Sequence, residues 1–153
     1  MKNRYLIILT ILSFNISALV AQNFTDDFQI LLEAEDISDL KNEFTSYSEG
    51  LDANLYTSRQ ELEGFYITIV DQAGYWIIYG TSNGDLPKVL NALNMMELIP
   101  PTGYTMFDSN DDESIALGEG TKRRVTFVSD DRSSIANFNY SFDNSLTFTI
   151  TKK

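Results

Sequence analysis

The chain has no cysteine and no histidine among its 153 residues, only three prolines and a single tryptophan. Each absence closes a route. Without cysteine no disulfide can staple the fold, so stability has to come from a packed interior. Without histidine and cysteine, Ser–His–Asp and Cys–His nucleophile systems are excluded, as are zinc sites built from those ligands. Imidazole acid–base chemistry is excluded as well. Catalysis, if any, rests on carboxylates, lysine, tyrosine or an oxygen-ligated metal. Basic charge is also scarce, with 11 Lys and Arg against 22 Asp and Glu. That balance repels phosphate backbones and anionic lipid, which argues against nucleic-acid and membrane-surface partners. It suits solubility, divalent cations or a basic protein partner.

The one long apolar run lies at the start. In MKNRYLIILTILSFNISALVAQ, Lys2 and Arg4 precede an apolar stretch from Tyr5 to Ile16, broken only by Thr10, Ser13 and Asn15. Small residues follow at Ala18 and Ala21. This is the layout of a secretory signal peptide. Cleavage is expected after Ala21, with Ala18 as the alternative, giving a leader over 1–21 and a single domain over 22–153. A spanning anchor is the competing reading, but it needs about 20 mostly apolar residues. No cysteine stands near the cleavage region, so a lipoprotein anchor is excluded. Removing the leader leaves 9 basic against 22 acidic side chains, a net charge of −13. The expected product is extracytoplasmic, periplasmic or secreted, and bacterial, with no membrane span after cleavage.

The rest alternates between helical and strand periods. FQILLEAE (Phe28 to Glu35) fits either. Over Asp36 to Leu51, residues Ile37, Leu40, Phe44, Tyr47 and Leu51 recur at steps of three and four, which predicts a helix with Asp36 as N-cap and Gly50 as stop. GFYITIV and YWIIYGT, separated by DQAG, read as a hairpin. In it Phe65, Ile67 and Ile69 oppose Tyr66, Thr68 and Val70, while Trp76 and Ile78 oppose Tyr75, Ile77 and Tyr79. A second helix is capped by Asp85, carries Pro87 in its first turn and buries Leu86, Val89, Leu90, Leu93 and Met96. Pro100 and Pro101 end it. The last third is β: Val125 and Phe127 alternate with Thr126 and Val128. Ala136, Phe138 and Tyr140 alternate with Asn137, Asn139 and Ser141. After a two-residue turn at Asp143 and Asn144, Leu146, Phe148 and Ile150 alternate with threonines. One buried and one wet face argue for an antiparallel sheet.

DSNDDESIALGE (Asp108 to Glu119) has the look of a calcium loop. Asp108, Asn110, Asp112, Ile115 and Glu119 fall at positions 1, 3, 5, 8 and 12 of that template. Position 6 is Glu113, where the sharp turn wants glycine, and neither flank is helical. A solvated acidic turn is therefore the favoured reading, and no cofactor is expected. The metal candidate to test is a non-helical calcium site of Asp108, Asn110 and Asp112, with Asp111 beside them. Among other groupings, Tyr66, Tyr75, Trp76 and Tyr79 form the densest aromatic set, able to stack on a sugar or line an apolar pocket. Core packing is the competing role for such rings. Asp130, Asp131 and Arg132 read as a turn.

Two stretches, LEGFYIT (Leu62 to Thr68) and the closing TFVSDDRSSIANFNYSFDNSLTFTI, resemble the opening strand and final meander of small exported bacterial lipocalin-like proteins. Tyr66 stands where that family usually has tryptophan. The resemblance implies a small apolar ligand inside a barrel, and no binding residue is carried over from it. Strand candidates near Leu55, Gly64, Tyr75, Tyr104, Ser114, Arg124, Ile135 and Ser145 number enough to close one. The expected fold is thus α+β: a curved antiparallel β-meander, as an open sheet or a lipocalin-like barrel, with two α-helices packed on it. The expected function is non-enzymatic binding of a small molecule at the Tyr66, Tyr75, Trp76 and Tyr79 aromatics. An acidic structural or interaction domain, with or without calcium, is the alternative, and a carboxylate-based hydrolase ranks third.

Overall fold

A computed structural model describes residues 23–73, 75–84, 86–110 and 121–152, side chains at 108–110 excepted. The leader expected over 1–21 lies outside these residues, as do Asp85 and the acidic stretch 111–120. Among the described residues no helix is long and apolar enough to cross a membrane.

Helix α1 spans 23–33, which settles the ambiguous FQILLEAE stretch up to Glu33. Phe24, Phe28, Leu31 and Leu32 are spaced to share one face of it, and all four are buried. A one-turn helix α2 (Ile37–Leu40) follows, with the Asp36 carboxylate accepting from Ser38 N as its N-cap. The predicted helix ends there. Residues expected to continue it form strand β1 (Lys41–Ser48), which leaves Phe44 and Tyr47 exposed, with Leu51 exposed in the turn that follows. Phe44, Thr45 and Tyr47 favour extended backbone. Pairing with β2 (Ala53–Ser58) supplies hydrogen bonds that an isolated helical stripe, with nothing to bury it, could not match. Gly50 falls in the connecting turn, where Asp52 takes a φ of 49°.

The hairpin β3 (Phe65–Gln72) and β4 (Tyr75–Ser82) forms as the sequence implies, in the register Phe65↔Ser82 to Gln72↔Tyr75. Helix α3 (Leu86–Leu98) then buries Val89, Ala92, Leu93 and Met96. Strands β5 (Tyr104–Asn110), β6 (Thr121–Ser129), β7 (Ser134–Ser141) and β8 (Leu146–Lys152) complete the chain. The β7–β8 connection is wider than the expected two residues. Asn144 N donates to Ser141 O, Ser141 N donates to Ser145 O, and Asn144 takes the left-handed conformation at φ 64°.

All eight strands join one antiparallel sheet in the order β1-β2-β3-β4-β8-β7-β6-β5. Two four-stranded meanders therefore meet at a β4–β8 seam, and the sheet is open, with β1 and β5 at its edges. Seven of the expected strand positions carry strands; the one near Ser114 lies outside the described residues. The described residues form three helices rather than two.

Both long helices cover the same face. The Phe28 ring sits 5.0 Å from Phe138 and 5.4 Å, edge-on, from Phe148. Phe65 meets Phe148 at 5.0 Å on the other side. Gly80 lies opposite Phe148 across the seam, and any side chain there would overlap the ring. Helix α3 is tied down by Arg123 of β6, whose guanidinium pairs with Glu97 at 2.7 Å and donates to Asn94 at 2.8 Å. The opposite sheet face is wet. On it Arg124 and Thr126 donate to Asn139 and Asn137 across the β6–β7 ladder.

Candidate functional site

Strand alternation sends one side chain per strand toward the helices at each level of the sheet. At the level where β4 begins and β8 ends, these side chains are unlike the phenylalanine layer beside them. Asp71 pairs with Trp76, Trp76 with Lys152, and Lys152 with Ser134. Ser134 N donates to Ser129 Oγ, and Ser129 pairs with Tyr104. One lateral row thus carries a carboxylate, an indole, an ammonium, two hydroxyls and a phenol across six strands.

Helix α1 stops just above this row. Lys152 Nζ donates to the carbonyls of Leu32 and Ala34, satisfying groups that a helix C-terminus leaves without partners. The same ammonium lies 5.2 Å from the Trp76 ring, within cation–π range. Gln29 fixes the helix laterally, its amide donating to Thr102 O at 3.1 Å and accepting from Thr102 N at 3.0 Å. The roof (residues 32–35), the row from Trp76 to Tyr104 and the turn at 129–134 border an open cleft of about 470 Å³.

Electrostatically the cleft is acidic. Glu33, Glu35, Asp130 and Asp131 line it against Lys152 alone among the bases. Burial pushes the Lys152 pKa down, and the charges of Glu33, Glu35 and Asp131 oppose that shift. Burial likewise raises the Tyr104 phenol. Asp131 is held at about 2, first by the backbone N–H of Ser133 and then by the Ser129 and Ser133 hydroxyls. All three bonds end on Oδ1, leaving the other oxygen uninvolved in them. The Ser134 hydroxyl is buried beside that of Tyr104 without a hydrogen bond of good geometry. Such a group is a ready partner for a ligand's polar atom.

The four aromatic residues singled out in the sequence fall on two faces. Trp76 is half-buried and lines the cleft. Tyr66, Tyr75 and Tyr79 share the helix-free face and are exposed, Tyr66 most of all at 72%. They stand at positions paired with Thr81, Gln72 and Thr68. The structure therefore does not gather the four around one ligand. Of the metal candidates, Asp108 and Asn110 belong to the backbone of β5, opposite Thr126 and Arg124. Their side chains and all of Asp112 lie outside what is described. Among the described residues no group of three or more acidic side chains is placed to hold a metal ion.

Two wider depressions, of about 740 and 700 Å³, open beside α1 and along 57–68. Neither includes the indole or a buried hydroxyl. No protein-family profile, curated protein or solved structure matches this chain.

Sequence reasoning found Trp76 but missed Glu33, Glu35, Tyr104, Asp131, Ser134 and Lys152 as lining the same cleft. They come from separate segments, joined only by sheet register. The one local signal was the Asp-x-Ser spacing at Asp131, legible as a turn but silent about what the turn faces.

Proposed function

We propose that this chain is an exported, non-catalytic binding domain that holds a small ligand in the Trp76–Tyr104 cleft. The observation that carries the reading is the cross-strand row itself. With the adjoining turn it gives one cleft the chain's only indole, partly buried, a phenol, a buried hydroxyl and, in Asp131, a carboxylate held ionised down to about pH 2. Export rests on the layout of residues 1–21. The likeness to lipocalin-like proteins implied an apolar ligand inside a barrel; the present reading keeps a small ligand but seats it at the sheet's end. The carboxylates of Asp36, Asp131 and Asp143 all titrate below their ordinary range, each held down by serine hydrogen bonds. A general acid for hydrolysis needs the opposite shift.

Because the tryptophan is unique, its emission reports on the cleft directly. Titration of the protein without its leader against neutral sugars, fatty acids and amines should shift Trp76 emission for one of these classes. Ser134→Ala should weaken that ligand about tenfold, the value of one lost hydrogen bond to a buried group, with melting temperature preserved. If nothing in the panel moves the emission at about 1 mM, the weak end of specific recognition, the reading is wrong.

A further inference from the structure

We infer that the ligand of this cleft is a cationic amine, an ammonium or guanidinium group on a small molecule or on a basic side chain. The inference rests on the cleft reading above and adds the chemical class.

Three observations converge. First, the cleft already contains an ammonium. Lys152 sits 5.2 Å from the Trp76 ring, so the indole already takes part in one cation–π contact in the cleft wall. That ammonium is spent on the carbonyls of Leu32 and Ala34, which makes it a fixture of the wall rather than a donor for an anionic ligand. Second, four carboxylates, Glu33, Glu35, Asp130 and Asp131, line the same space. One base cannot balance them, and an entering anion would meet net repulsion while a cation is drawn in. Asp131 stays ionised because serine groups hold it so, and its hydrogen-bonded oxygen leaves the second one uncommitted by those bonds. Third, Ser134, only 3% exposed, lines the cleft, and its hydroxyl lies buried beside Tyr104 without a hydrogen bond of good geometry. A hydroxyl can accept from an ammonium N–H. An aromatic face, ionised carboxylates and a spare acceptor together are the ingredients of amine recognition. A neutral sugar would use the ring and the hydroxyl but gain little from the charge, and a fatty acid would be repelled by it.

The test is titration with spermidine, followed by Trp76 emission and by calorimetry. Sucrose and octanoate serve as neutral and anionic comparators. Spermidine should shift the emission and bind at least about tenfold more tightly than either comparator, one charge-assisted contact's worth. Raising NaCl from 20 to 300 mM should weaken it about fivefold through screening. The double variant Glu33→Gln/Glu35→Gln should weaken it about tenfold. The charge-matched variant Glu43→Gln/Glu49→Gln, at exposed positions on and just beyond the edge strand β1, should leave it unchanged, with thermal unfolding confirming that both variants fold. Calorimetric binding without an emission change, or equal loss in the two double variants, means diffuse attraction to an acidic surface and overturns the inference. Tighter binding of sucrose or octanoate overturns it while the cleft reading stands. Silence of Trp76 toward every probe removes both.

Discussion

Asp131 is one of three aspartates that do the same local work. Asp36, Asp131 and Asp143 each accept from the backbone N–H and the hydroxyl of the serine two residues on. Asp-x-Ser therefore fixes the entry to α2, the turn between β6 and β7, and the turn between β7 and β8. Hydrogen bonds to a carboxylate favour its charged form, so the folded pKa lies below the unfolded one. For Asp131 the folded value is about 2 against an ordinary 3.8. The stability it contributes is complete above the unfolded value and is lost as pH falls through the folded one. Urea midpoints measured from pH 6 to pH 2 should fall most steeply below about pH 4. In Asp131→Asn the midpoint should be lower at pH 6 and its decline below pH 4 shallower. An equally steep decline in the variant would show that this turn does not prefer the ionised form.

The elements differ in what holds them. Helix α1 is bound by ring contacts of Phe28 with Phe138 and Phe148, whereas β1 shows its large apolar side chains to solvent. Phe28→Ala should cost about 4 kcal/mol, the usual toll for emptying a buried phenylalanine site. Phe44→Ala should cost less than about 1 kcal/mol, because its 58%-exposed ring keeps only an edge contact with Tyr56. Chemical denaturation of the two variants distinguishes the structure from the helix that the apolar spacing of 36–51 predicts, in which Phe44 would be a core residue. The contrast also shows what is legible in a single sequence. Strands β6 to β8 alternate strictly, and their buried sets agree with that alternation. Helix α3 was announced by its stripe and its prolines. Residues 41–48 misled because spacing of three and four records only where apolar residues fall, and says nothing of a partner strand. For the site, alternation already set Trp76 opposite Tyr75 and Tyr79; choosing them as one cluster ignored the two-residue period. What encircles Trp76 depends on the β4–β8 pairing, a long-range register that no local pattern encodes.

For the whole molecule, an acidic excess and the lack of any covalent staple act together. Like charges repel in the compact state, and no disulfide limits the unfolded one. Screening should relieve the repulsion. The melting temperature should rise by several degrees between about 10 and 500 mM NaCl, across which the Debye length shrinks several-fold. A flat or falling profile would mean that attractive pairs such as Lys41–Asp71 and Arg123–Glu97 outweigh the surplus.

The strand order carries one more implication. The latest of the eight strands in sequence order, β8, is the plank that joins the two halves of the sheet, paired with β4 on one flank and β7 on the other. Until those residues arrive, Phe65, Ile78 and Phe138 have no Phe148 or Ile150 to close upon, and the earlier meander waits with a raw inner border. A sheet laid out in this way closes only once its latest strand is seated between two earlier ones.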